Sequence, residues 1–145
     1  MNNKNIEILL VEDDPGDVCL MKESLKGSKM TVNMSVVVDG VEAMAYLRKE
    51  GQYSEVNRPS IILLDLNLPK KDGREVLQDV KSDDNLKEIP IVILTTSNAE
   101  QDIIKSYGLG ANCYITKPVG FEQFRKVVNE IENFWFTVVE LPNRK

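Results

Sequence analysis

Five short apolar or β-branched runs punctuate the chain, at residues 6–11, 34–38, 61–64, 91–94 and 113–116, and each has the length of a buried strand. Between them, apolar residues recur at helical spacing: Val18, Met21 and Leu25; Val41, Met44 and Leu47; Val76, Leu77 and Val80; Ile103, Ile104 and Tyr107. After the last run come Phe121, Phe124, Val127, Val128 and Ile131. These sets predict the inward stripes of five helices. Punctuation agrees: Asp39-Gly40 and Asp72-Gly73 mark turns, Ser97 or Asn98 is suited to cap the fourth helix, and Gly108 with Gly110 to end it. Pro90 stands just ahead of a run, where its missing N–H is tolerated. Strands apolar on both faces and alternating with helices predict an α/β fold, a five-stranded parallel sheet flanked by five helices. Residues 49–60, which mix Gly51, Ser54 and Pro59 with charges, read as a surface loop.

Composition narrows the field. At 145 residues, 42% hydrophobic and 28% charged, the chain suits one domain with a real core. Lys plus Arg total 18 against 23 Asp plus Glu, a net charge of −5, and no basic run stands out. A nucleic-acid partner is not expected. The longest apolar runs fall far short of the roughly 20 residues of a membrane span, and residues 1–6 lack a signal peptide's charged and apolar tandem, so the expected location is cytoplasmic. There is no histidine, which excludes a Ser-His-Asp triad, a Cys-His pair and any His-ligated metal within the chain. Cys19 and Cys113 are far apart with no CxxC spacing and read as buried packing residues.

The informative residues follow the strands. The first run leads into Glu12, Asp13 and Asp14, the third into Asp65, the fourth into Thr95 and Thr96, and the fifth into Thr116 and Lys117. An open parallel sheet binds ligands beyond the carboxyl ends of its strands, so these groups would share one rim. Taken alone, the acidic run also suits a solvated loop before a helix N-terminus. If the first and third strands are neighbours, however, two or three carboxylates converge and demand a counterion. Oxygen donors without His or Cys favour Mg²⁺ or a similar hard cation. Asp13 and Asp65 are the direct candidates, Glu12 acts through water, and the Asn67 backbone carbonyl can complete the set. A carboxylate held ionised beside Mg²⁺ and Lys117 can attack phosphorus, which makes Asp65 a candidate nucleophile and Thr95 a hydrogen-bond donor to the transferring group.

The pieces ILLVEDDP (8–15), LLDLNLPKKDG (63–73), VILTTS (92–97) and YITKP (114–118) resemble, in order, the motifs of a response-regulator receiver domain of two-component signalling. The resemblance implies a flavodoxin-like sheet of order 2-1-3-4-5. By position it implies that Asp65 accepts phosphate, that Glu12 and Asp13 hold Mg²⁺ with Asp65 and the Asn67 carbonyl, and that Lys117 contacts the phosphoryl group. Thr95 would be the switch hydroxyl, Tyr114 the aromatic residue that turns inward with it, and the Lys117–Pro118 bond cis. Such a protein is a phosphoacceptor that promotes its own phosphorylation and dephosphorylation rather than an enzyme. Glu12 departs from the more usual Asp, and Thr96 from a smaller Ala. The long loop before the third strand and the ending FWFTVVELPN resemble single-domain regulators that partner phytochrome-type histidine kinases.

On this reading residues 1–133 are the receiver and 134–145 an extension. Phe134, Trp135 and Phe136, with Val138, Val139 and Leu141, form an apolar patch that either folds back on its own domain or joins a homodimer. The competing class is a Mg²⁺-dependent hydrolase or phosphatase on the same fold. Haloacid-dehalogenase-like enzymes carry a second Asp two residues after the nucleophile, where this chain has Asn67. Nucleotide or flavin binding would call for GxGxxG or GxxxxGK[ST], and neither occurs.

Overall fold

The computed structural model describes residues 5–26, 31–96, 99–117 and 129. The five apolar runs become β1 (Asn5–Val11), β2 (Thr31–Val37), β3 (Ile61–Leu64), β4 (Ile91–Thr95) and β5 (Cys113–Thr116). All pair in parallel in the order β2-β1-β3-β4-β5, the expected 2-1-3-4-5. Strand β2 starts earlier than its apolar run because pairing with β1 continues through the polar pair Asn33 and Glu7, whose side chains hydrogen-bond at 3.0 Å. Four helices are described, α1 (Pro15–Leu25), α2 (Gly40–Leu47), α3 (Gly73–Lys81) and α4 (Glu100–Gly108). The expected fifth helix, Pro118 and the 134–145 extension lie outside the described residues.

Alternation along the strands divides the core in two. Leu9, Val11, Ile62, Leu64, Ile91 and Ile93 face one side, where they meet Met44 and Leu47 of α2 and Val76, Leu77 and Val80 of α3. Ile8, Leu10, Ile61, Leu63, Val92 and Leu94 face the other, against Met21 of α1. A fully buried side chain of this size contributes about 2 kcal/mol of transfer free energy, so both faces of the central strands hold the sheet rigid.

Several expected inward positions point outward. Val41 is 52% exposed, Ile104 63% and Tyr107 48%. Helix α2 is turned so that Gly40, Ala43, Met44, Tyr46 and Leu47 are buried instead. On α4 the buried residue is Ser106. Cys19 is also exposed, contrary to expectation, because it lies two residues, about 200° of helical rotation, from the buried Met21. Cys113 is partly buried in the second core face, as a packing residue should be.

The stretch 49–60 is not purely surface loop. It contains a 3-10 turn at Gly51–Tyr53, and the Tyr53 ring lies 5.2 Å from that of Tyr46 at the core margin. The Tyr53 hydroxyl donates to Glu42 at 2.5 Å, and this bond first, then burial, pushes its pKa up to about 12. Helix α4 takes Ala99 as its N-cap, with no side-chain capping bond, rather than Ser97 or Asn98, which are not among the described residues.

Two glycines shape the loop after β3. A Cβ on Gly73 would lie 2.1 Å from the Asp65 carbonyl oxygen, and one on Gly40 would lie 2.1 Å from that of Lys71. The loop is therefore pressed between the start of α3 and the start of α2. Lys70, at φ 65°, makes the left-handed turn this path requires.

Candidate functional site

Parallel pairing brings every strand's carboxyl end to one edge of the sheet. Val11 is paired with Leu64, so the next residues, Glu12 and Asp65, emerge side by side. Backbone bonds fix that exit: Glu12 N–H donates to the Val37 carbonyl at 3.0 Å and Asp65 N–H to the Val11 carbonyl at 3.1 Å. Thr95 pairs with Thr116, which places Lys117 next to the end of β4, and Lys117 N–H donates to the Thr95 carbonyl at 2.6 Å.

Carboxylate oxygens of Glu12, Asp13 and Asp65 all lie within 4.8 Å of one another. Glu12 is 1% exposed and Asp65 7%, while Asp13 is open to solvent. Asp65 sits at the strand end as expected, but the loop that follows covers it. Lys117 Nζ lies 2.7 Å from Glu12 Oε1, 2.6 Å from Asp17 Oδ2 and 3.3 Å from Asp65 Oδ2. Glu12, expected to reach a metal through water, is also in a direct ion pair with Lys117 through Oε1. The longer glutamate arm is what reaches across.

These contacts set the charges. Burial pushes the Glu12 pKa up to about 7; Lys117 pulls it down through a hydrogen bond and its charge, and the neighbouring Asp65 charge adds to the rise. Burial alone would lower the Lys117 pKa, but bonds to Asp17 and Glu12 outweigh it and hold the ammonium above the ordinary lysine value. An all-oxygen cluster of three carboxylates around about one ion's width fits a hard divalent cation, which takes such donors without a His or Cys ligand.

Asn67 N–H donates to Asp65 Oδ1 at 3.0 Å, which turns the loop so that the Asn67 side chain faces the hydroxyls. Its Nδ2 donates to Thr95 Oγ1 and Thr96 Oγ1, both at 3.2 Å. Thr95 is fully buried. Tyr114 is partly buried against the first core face, and its N–H donates to the Tyr107 hydroxyl of α4 at 3.0 Å. A cavity of about 500 Å³ between α1 and β2 opens beside Glu12 and Asp13, lined mainly by Val18, Cys19, Val36 and Val38.

All the sequence-predicted residues described here, Glu12, Asp13, Asp65, Asn67, Thr95, Tyr114 and Lys117, occupy this edge or its margin. Phe134, Trp135 and Phe136 fall outside the described residues. Two groups were missed. Asp17 binds the lysine across 100 positions of sequence, and its only local sign was an acidic residue in the first turn of α1. Arg74 forks onto Asp102 with bonds of 3.0 and 2.7 Å, which ties α3 to α4, and also reaches Asp72 at 3.1 Å.

This sheet order and this edge are those of a receiver, and residues 8–129 match the family described as the response regulator receiver domain. The chain belongs to that family. It is 50% identical over 135 residues to response regulator Rcp1 of Synechocystis sp., covering 93% of this chain and 92% of the relative. It is 39% identical over 129 residues to the probable methanogenesis regulatory protein FilR2 of Methanothrix harundinacea, covering 88% and 82%. Among solved structures, the phosphorylated cyanobacterial phytochrome response regulator RcpA superposes with a TM-score of 0.84 at 52% identity, covering 92% of this chain and 96% of that one. The Mn²⁺-bound form of Rcp1 superposes with a TM-score of 0.83 at 49% identity and the same coverage. None of the described helices is long and apolar enough to cross a membrane.

Proposed function

We propose that this receiver works as a stand-alone response regulator whose Asp65 takes a phosphoryl group from the phosphohistidine of a partner histidine kinase. The chain supplies no histidine of its own. An Asp65 carboxylate oxygen attacks phosphorus, the phosphorus–nitrogen bond breaks, and the imidazole leaves. The observation that carries this reading is the gathering of Glu12, Asp13 and Asp65 within 4.8 Å, with Lys117 Nζ 3.3 Å from Asp65 Oδ2. Glu12, Asp13, Asp65 and the Asn67 carbonyl would hold Mg²⁺, which neutralises charge on the transferring oxygens. Lys117 offers its ammonium to the same oxygens, and Thr95 exchanges its bond with Asn67 for one to the phosphoryl group. Tyr114 then repacks, and its tie to Tyr107 transmits the change to α4. The same groups promote hydrolysis of the aspartyl phosphate.

The likeness to the cyanobacterial phytochrome response regulator RcpA supports a phytochrome-type kinase as partner, and the proposed setting is the cytoplasm. Residues 134–145 form an extension to the 1–133 receiver, and Phe134, Trp135 and Phe136 join a homodimer interface. Light scattering on a chain cut after Asn133 tests this, since an unchanged mass removes the tail from the interface. The phosphoacceptor is tested with Mg²⁺ and acetyl phosphate: intact mass gains one phosphoryl group in the wild type and none in Asp65→Asn. A variant that still gains it rejects Asp65 as the nucleophile.

A further inference from the structure

We infer that Asp17 is a positioning residue for phosphoryl transfer, acting by fixing the direction in which the Lys117 ammonium presents its third N–H. The inference rests on the reading of Asp65 as phosphoacceptor. An ammonium has three donors, and Lys117 meets three carboxylates. Its contacts to Asp17 at 2.6 Å and Glu12 at 2.7 Å are short, while that to Asp65 is 3.3 Å.

The two short contacts come from groups that do not react. Glu12 directly follows β1 and is held by backbone pairing. Asp17 lies in the first turn of α1, whose N-terminus is clamped by the Asp14 side chain accepting from Gly16 N–H at 2.9 Å and Asp17 N–H at 3.4 Å. The long contact goes to the group that becomes phosphorylated. When Asp65 acquires the phosphoryl group its carboxylate loses its charge, and the new negative oxygens lie further out. Lys117 then changes only its weakest bond while both anchors stay in place.

Asp17 is not in the cluster of three carboxylates that converge within 4.8 Å, and its side chain is 32% exposed. It therefore acts through the lysine, by restraining a flexible four-carbon stem that Glu12 alone holds at one point. Lys117 itself is 8% exposed, so little water competes for the anchoring bonds.

The test compares Asp17→Ala and Asp17→Asn with wild type, using acetyl phosphate as donor and intact mass as readout, at saturating Mg²⁺. Both variants remove one charge near the cation, so both weaken Mg²⁺ binding alike. Asn alone keeps an oxygen that can accept from Lys117. Asp17→Ala is expected to slow phosphorylation about tenfold at saturating Mg²⁺, and Asp17→Asn to restore it to within about threefold of wild type. A urea titration of each variant separates slow chemistry from lost folding. Asp17→Ala reacting at the wild-type rate overturns the inference while leaving the phosphoacceptor reading intact; so does Asp17→Asn being as slow as Asp17→Ala. Wild-type chain that takes up no phosphoryl group overturns that reading and this inference together.

Discussion

Replacing Lys117 by Met removes one positive charge from among three carboxylates while keeping an unbranched side chain one atom shorter. The buried partners make the effect large. At an effective dielectric of about 20, an ion pair at 2.7 Å, the separation from Glu12, is worth about 6 kcal/mol before desolvation, and one at 3.3 Å, the separation from Asp65, about 5 kcal/mol. Desolvating the ammonium offsets most of this in the wild type. In the variant nothing offsets the two buried carboxylates, which repel each other at no more than 4.8 Å with about 3.5 kcal/mol at the same dielectric. The expected net loss is about 3–5 kcal/mol of folding stability without divalent metal, the range for breaking a buried pair by removing one partner. The assay is urea denaturation in EDTA at pH 8. Glu12 already has a folded pKa raised from 4.5 to about 7, and losing Lys117 raises it further. A raised folded pKa gives stability that is fully present below the unfolded value and lost as pH rises through the folded one. The variant's deficit must therefore shrink as pH falls from 8 toward 5, and Mg²⁺ must raise the variant's own stability at pH 8, by about 2.7 kcal/mol at a hundredfold excess over its dissociation constant. A deficit below about 1 kcal/mol in EDTA at pH 8, or one that grows on acidification, refutes the argument.

Gly73→Ala would place a methyl group 2.1 Å from the Asp65 carbonyl oxygen and 2.6 Å from the Leu66 Cα. The backbone must move, so a loss of about 2–4 kcal/mol and slower phosphorylation are expected together; a normal urea midpoint would mean the loop does not pack as described. Tyr53→Phe removes the hydroxyl that donates to Glu42 and is expected to lower stability by about 1 kcal/mol at pH 7. The tyrosine's contribution is complete below its ordinary pKa of 10.0 and fades as pH rises through about 12, so wild type and variant should converge at strongly alkaline pH. Thermal melts across that range decide it.

The central strands could be read directly because burial on both faces makes them apolar throughout, save Thr95 at the last position of β4. Ile61–Leu64 and Ile91–Thr95 are buried throughout, and their ends therefore mark where Asp65 leaves the sheet and where Thr95 meets its edge. Parallel register does the rest, and so Glu12, Asp13, Asp65 and Lys117 were legible as one group before any contact was known. Helix faces were less legible. Ile104 and Tyr107 have inward spacing yet point out, because helical spacing gives the direction of a stripe relative to itself and not relative to the sheet. Asp17 and the Arg74–Asp102 fork were hidden for a different reason. Each is a tertiary partnership between charged residues that, taken singly, suit any solvated helix surface.

The lysine's three-way sharing has a further consequence for how the site changes state. Glu12, Asp13, Asp17 and Asp65 bring four negative charges against the one positive charge of Lys117, a balance of −3 if all ionise. A divalent cation moves that balance to −1. Phosphorylation removes the Asp65 charge but adds about two negative charges on the phosphoryl oxygens, leaving the metal-bound site at about −2. Cation and ammonium are thus both short of full compensation in every state, so each gain of negative charge pulls in whatever donor stands nearest. The neutral donors beside Asp65 lie on one side: Asn67 N–H donates to Asp65 Oδ1 at 3.0 Å, and Asn67 Nδ2 donates to Thr95 Oγ1 at 3.2 Å, at the end of the strand that is paired with β5. On the proposed function, the added charge at Asp65 would be met by Thr95 at the end of β4 rather than by α1, whose first turn is held by the Asp14 cap and the Asp17–Lys117 ion pair. That asymmetry would direct the proposed response toward β5, which pairs with β4, and toward α4, whose Tyr107 hydroxyl accepts from Tyr114 N–H.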